Sequence, residues 1–293
     1  MPSSPCLRRI RSGLIPLAAT FAVTFAAPAL ARADRCPKLV AEAPVRVLPA
    51  AFRPSPQPLE SGFRENLFRL AAGAPGEVTL NYIGHSTFLI ETAGGVTVAT
   101  DYNDYVRADV VPRVATMNRA HSTHFSLAPD PGIEHVLKGW GDTPGQPARY
   151  DLDVGDLWIG NLPTNTRDWE GGTIRNGNSI FVFRAADLCI AHLGHLHHTL
   201  TEDDIAALGR IDVVLAPVDG SYTLDVDGMI EVLKALESPL VIPMHYFNPS
   251  TLDAFLSRLG GRAFIIERHA GSSLVVSRAS LPRKPTVVVL PPR

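Results

Sequence analysis

The chain has 293 residues, enough for one large domain or two smaller ones. Hydrophobic residues at 45% and charged residues at 19% are the balance of a chain with a core, which excludes disorder for most of it. A formal net charge of −2 leaves no basic footprint for nucleic acid, and three cysteines without a CxxC pair exclude a thiolate zinc site, so any metal must be held by histidine and carboxylate.

Residues 1–33 have the form of a secretory signal. Arg8, Arg9 and Arg11 make a basic start, Leu14 to Ala27 is apolar, and Ala29-Leu30-Ala31 or Ala31-Arg32-Ala33 offers a small-x-small cleavage site. The apolar run is shorter than the roughly 20 residues of a membrane-spanning helix, so the expectation is an exported, periplasmic or secreted protein with no stable membrane insertion after cleavage. Residues 34–76 are rich in proline and alanine and read as an irregular lead-in to a domain over 77–293. In an oxidising compartment Cys36 and Cys189 could pair, but Cys189 lies in the apolar run Leu188-Cys189-Ile190-Ala191 and is expected as a buried free thiol.

From Val78 the pattern predicts short strands at Val78 to Ile83, Thr87 to Ile90 and Val96 to Thr100, an antiparallel meander. Residues 104–176 carry scattered Gly, Pro, Asp and Trp and are expected as long loops crossing a rim. Strands at Ser179 to Phe183 and Leu188 to Ala191 lead into a helix near Glu202 to Leu208, a buried run Val213 to Ala216, a helix near Val226 to Leu236 and a strand Leu240 to Ile242. A helix near Leu252 to Leu259 and apolar runs at Phe264 to Ile266, Leu274 to Val276 and Val287 to Leu290 complete an α/β chain of layered type.

Seven of the ten histidines fall in three stretches that follow strand-like runs: His121 and His124; His192, His195, His197 and His198; and His245. Side chains at strand ends converge on one rim of a layered sheet, and a metal ion needs three or four ligands brought there from separate elements. His85, after Gly84 between two strands, suits a structural or a supporting role equally. His135 and His269 sit among charged or loop residues and read as surface.

The segments Tyr82 to Ile90 with Gly84-His85-Ser86, the strand end Thr100-Asp101, Ala191 to His195, Val213 to Val218 and Ile242 to Tyr246 resemble, in order and spacing, the metallo-β-lactamase superfamily and its lactonase-like hydrolases. The resemblance implies a four-layer αββα sandwich with a metal site at one edge of its two sheets. It also shows where this chain departs. The family's H-x-H-x-D-H motif stands here as Arg119-Ala120-His121-Ser122-Thr123-His124, and a bridging aspartate of the family stands as His195. What survives as metal ligands is His121, His124, His195 and His245, enough for one ion. Imidazoles favour zinc, iron, nickel or copper over magnesium and calcium, so zinc is expected, with iron or manganese as alternatives. Asp101, His198 and Tyr246 are the candidates for moving protons, Asp101 being as suited to orienting a ligand histidine. Arg119 and Arg167, if directed inward, would clamp an anionic group of the substrate, unless Arg167 pairs with Asp168. The function implied is an exported metal-dependent hydrolase using one ion against a small ester, lactone or phosphoester. The alternative is a noncatalytic binding protein that keeps the fold and holds a metal or an anion.

Overall fold

The protein is described by a computed structural model for residues 74–168, 170–260 and 263–293. The signal, most of the proline-rich lead-in and Cys36 lie outside the described residues. Two mixed sheets stack face to face. In chain order the strands are β1 (Glu77–Gly84), β2 (Thr87–Thr92), β3 (Thr97–Ala99), β4 (Val114–Met117), β5 (His135–Lys138), β6 (Asp151–Val154), β7 (Leu157–Arg167), β8 (Thr173–Ala185) and β9 (Leu188–His192). Then α1 (Glu202–Leu208), β10 (Val213–Pro217), α2 (Val226–Leu236), β11 (Leu240–Met244) and α3 (Pro249–Leu259) alternate before β12 (Ile265–Arg268), β13 (Ser273–Ser277) and β14 (Thr286–Val289). The six-stranded sheet runs β13-β1-β2-β3-β4-β5 and the eight-stranded sheet runs β12-β14-β11-β10-β9-β8-β7-β6.

The strand pattern of alternation explains the layers. Phe181, Phe183, Ile190, Leu215 and Ile242 face Leu80, Phe88, Ile90 and Val98 in the core between the sheets. Their neighbours Ile180, Val182, Ala191, Val214 and Val241 face outward, where Met229, Leu233, Leu236, Phe255 and Leu259 of α2 and α3 cover them. Strands β9, β10 and β11 pair in parallel and are buried on both faces, which is why they read as unbroken apolar runs. On the outer face of the six-stranded sheet Ala99, Ala115 and Met117 pack with Tyr102, Ile133 and Phe125, so among the described residues this fourth layer is loop rather than helix.

The β1-β2-β3 meander and the three helices fall where the sequence predicts them. Thr201 and Asp204 form a capping box on α1, Asp225 caps α2, and Asn248 followed by Pro249 starts α3. Residues 104–176 are the correction: instead of long loops they hold β4 to β7 and the start of β8. The polar residues Asn161 and Thr164 of β7 are buried in the sheet with their bonds made. Asn161 Nδ2 donates to Ala148 O and Ser179 Oγ, and Asn178 Nδ2 to Thr164 Oγ1. Cys189 is fully buried but disulfide-bonded, which corrects the free thiol; its partner lies outside the described residues. His135 is half-buried in β5, while His269 is exposed as expected. Among the described residues no helix is long and apolar enough to cross a membrane.

Candidate metal centre

Four chain segments at one edge of the two sheets bring five histidines together. The β1-β2 turn places His85 with a left-handed backbone, φ 52°, and its carbonyl accepts from His245 N at 2.6 Å and from Tyr82 Oη at 2.9 Å. After β4 a tight turn, closed by His124 N to His121 O at 3.0 Å, carries His121 and His124. Beyond β9, Gly194 turns the chain at φ 61°, where a Cβ would lie 2.3 Å from Asn118 Nδ2 and 2.5 Å from Asn178 Oδ1, so only glycine fits and His195 is delivered inward. His195 N donates to Asn178 Oδ1 at 2.7 Å. His245 follows the last residue of β11.

One ring nitrogen from each of His85, His121, His124 and His245 lies within 4.8 Å of the other three. His195 stands beside them, its ring 4.9 Å from that of His124, 5.2 Å from His245 and 5.3 Å from His121. All five share one pattern of hydrogen bonding: Nδ1 is engaged. It meets Ser86 Oγ at 3.2 Å in His85, Thr123 Oγ1 at 2.7 Å in His121, Asp101 Oδ2 at 2.6 Å in His124, Thr166 Oγ1 at 3.3 Å in His195 and Asp219 Oδ1 at 3.0 Å in His245. The Nε2 atoms of His85, His121 and His195 are buried without a partner, and those of His124 and His245 face each other at 3.0 Å.

This donor set fits a metal ion. A carboxylate accepting from Nδ1–H fixes the tautomer in which Nε2 carries the lone pair, the arrangement found behind metal-binding histidines. Two such lone pairs 3.0 Å apart repel unless a cation lies between them, and three buried nitrogens without partners carry a desolvation cost that a ligand would offset. Burial also keeps the rings neutral. It lowers His85 and His195 to about 3 and His121 to about 4, with neighbouring imidazoles adding to the effect, and it holds the fully enclosed His124 well below the usual value. Burial pushes Asp101 up to about 8 against hydrogen bonds from Asn118 and Ser86. Burial raises Asp219 as well, but bonds from His245, Thr223 and Ser221 outweigh it and hold the carboxyl well below the usual range.

The profile of the beta-lactamase superfamily domain matches residues 79–245, which span every strand and turn that supplies this site. The chain belongs to that superfamily. It is 31% identical over 206 residues to a UPF0173 metal-dependent hydrolase of Salinibacter ruber, covering 60% of this chain and 89% of that one. It is 25% identical over 205 residues to another of Ignicoccus hospitalis, covering 60% and 86%. Among solved structures, a proposed zinc-dependent hydrolase of the metallo-beta-lactamase superfamily from Thermotoga maritima superposes with a TM-score of 0.53 at 26% identity, over 74% of this chain and all of that one. Membership of the superfamily accounts for the two stacked sheets.

Of the residues singled out in sequence, His121, His124 and His245 lie in the cluster and His195 lies against it. Asp101 is fully buried and acts on His124, the orienting role, with Asn118 Nδ2 on its other oxygen at 3.0 Å. Two proton-transfer candidates are engaged elsewhere. Tyr246 turns its hydroxyl to Leu290 O at 3.3 Å, and His198 accepts from Asn165 N at 3.2 Å, so neither joins the cluster. Arg119 and Arg167 line a cavity of about 240 Å³ together with His121, His195 and Tyr222. Arg167 does not pair with Asp168, whose Oδ1 instead accepts from the amides of Glu170 at 3.0 Å and Gly172 at 2.6 Å. His192 is structural, its Nε2 on Ser86 O at 2.8 Å. Sequence reasoning missed two residues. His85 enters the cluster because the Gly84 turn directs it there, and Asp219 holds His245. The signal for Asp219 was its place just beyond the buried strand β10, as His195 follows β9 and His245 follows β11.

Proposed function

We propose that the protein is an exported hydrolase that holds one divalent transition-metal ion, zinc first, on imidazoles drawn from His85, His121, His124, His195 and His245. The observation that carries this reading is the set of five rings with Nδ1 held and a Nε2 that is buried without a partner or faces another Nε2. A metal bound there would supply Lewis-acid polarisation of a substrate oxygen and activation of water. The chain's own contributions are positional. Asp101 and Asp219 orient His124 and His245, the hydroxyls of Ser86, Thr123 and Thr166 orient the other three, and Arg119 and Arg167 bind negative charge at the mouth.

The test is elemental analysis of the full chain, purified without a histidine tag, beside turnover assays on ester, lactone and phosphoester substrates. About one ion per chain, lost in His245→Ala together with activity, is the expected result. No metal after reconstitution with zinc, iron, manganese or copper would overturn it in favour of a metal-free binding protein, and full occupancy without turnover would favour a binding protein that uses the metal. Export is tested by fractionation: processed chain outside the cytoplasm is expected, and unprocessed chain retained inside would overturn it.

A further inference from the structure

We propose that the mouth of this site selects a small phosphoester with an aromatic or apolar leaving group, Arg119 and Arg167 holding the phosphoryl oxygens and the Tyr222–Phe247 pair receiving the leaving group. The proposal rests on the hydrolase reading and names its substrate class.

Two kinds of group frame the histidines. Arg119 and Arg167 share a cavity of about 240 Å³ with His121, His195 and Tyr222. Neither guanidinium forms an ion pair among the described residues. Asp168 also lines this cavity, but its carboxylate is turned to loop amides. At the edge of that cavity the ring of Tyr222 meets that of Phe247 at 5.4 Å, and both are about half exposed. Phe247 lies 5.5 Å from the His245 ring and 6.0 Å from His85, and Tyr222 lies 6.1 Å from His121. Large exposed rings beside a polar centre cost hydration until something covers them.

The lining decides which group sits where. Arg119 and Arg167 share the cavity with His121 and His195, so an anion bound there by the arginines lies beside two site imidazoles. In a carboxylic ester or lactone the reacting carbonyl is neutral, and a charged group would have to lie farther off. In a phosphoester the reacting group is itself the anion. The lining agrees: two guanidiniums against the single carboxylate of Asp168 leave an excess of positive charge in the cavity for the substrate. Hydrolysis would form one P–O bond from water and break the P–O bond to the leaving group. One proton of that water stays on the phosphate and the other ends on the released phenol or alcohol, with no oxidant or reductant involved.

The experiment combines binding with turnover. Calorimetric titration of the full chain, as isolated and after chelation, uses phenyl phosphate, methyl phosphate and phenol as probes. Phenyl phosphate should bind about fivefold tighter than methyl phosphate through ring contacts, and Arg119→Gln and Arg167→Gln should each weaken it about tenfold with circular dichroism unchanged. Phe247→Ala and Tyr222→Ala should remove the preference for the phenyl group while leaving methyl phosphate binding intact. Equal affinities in the arginine variants, or no preference between the two phosphates, would overturn the proposal. Turnover separates it from the broader reading. p-Nitrophenyl phosphate should be cleaved in preference to p-nitrophenyl acetate. Cleavage of the acetate or a lactone by a protein that binds no phosphate would overturn the phosphoester assignment and leave the hydrolase. Phenyl phosphate bound but no substrate cleaved would overturn both.

Discussion

The floor and the mouth of the site are built by opposite rules. On the floor every imidazole is held through Nδ1, His124 and His245 are fully buried, and the carboxylates behind them are locked by further bonds, Asp219 to Thr223 and the Ser221 amide and Asp101 to Asn118. At the mouth Arg119, Arg167, Tyr222 and Phe247 are exposed, and the two arginines have no ion-pair partner among the described residues. The difference teaches how one edge of a sandwich can combine a rigid centre with adaptable recognition. Geometry that must exist before a ligand arrives is fixed by buried hydrogen bonds, while groups that select a substrate keep their bonding capacity free until it binds.

Several substitutions can break this contrast. The largest effect is expected from His124→Ala or His245→Ala, which remove a central ligand: metal content by elemental analysis should drop to trace, with turnover falling in step. Retention of the ion in both variants would mean that the floor is not the metal site. Asp219→Asn should come next, because the amide no longer favours Nδ1–H of His245; metal affinity measured by competition with a chelator should fall about 10- to 100-fold without unfolding. Gly194→Ala would strain a left-handed backbone and press a methyl group on Asn118 and Asn178, lowering stability by about 1–3 kcal/mol in urea melts and misplacing His195. If this variant is as stable as the parent, the turn is less constrained than the contacts around it require.

A smaller effect tests a histidine outside the cluster. Burial lowers His192 from the usual 6.5 to about 4, although its bond to Ser86 O works the other way. Its folded value therefore lies below its unfolded one, and the unfolded chain takes up the proton first. The stability this ring contributes is present above pH 6.5 and is lost as pH falls through about 4. His192→Gln should make urea midpoints decline less over that window than in the parent, and an unchanged slope would contradict the assignment. The smallest effect belongs to Tyr246→Phe, which removes a bond to Leu290 O but no group from the floor. Turnover within about twofold of the parent is expected, and a loss above about tenfold would return Tyr246 to the reacting machinery.

How much of this was legible in the chain follows from the range of each interaction. Apolar runs are local, and they sufficed for α1, α2 and the β9 to β11 core, while the superfamily resemblance picked out His121, His124, His195 and His245 from the histidine-bearing stretches. The strand β7 was hidden because its polar residues are satisfied across the sheet: Asn161 reaches Ser179 and Thr164 accepts from Asn178, partners that no local window contains. Arg119 and Arg167 could be suspected from the altered motif, but their meeting in one cavity, with Asp168 Oδ1 turned to loop amides, depends on the fold.

The sequence by itself determined the layered architecture, the superfamily resemblance and the stretches that carry histidine, because periodicity and spacing encode burial along a single element. Only the tertiary structure decided which groups meet. His124 and His245 are 121 residues apart, Ser86 and His124 are 38 apart, and Asp219 reaches His245 across 26 residues. It also turned His85 into the cluster, set Tyr246 and His198 outside it and closed Cys189 into a disulfide. The physical reason is that hydrogen bonds and metal ligation act over about 3 Å in space, and that distance is set by how the two sheets stack.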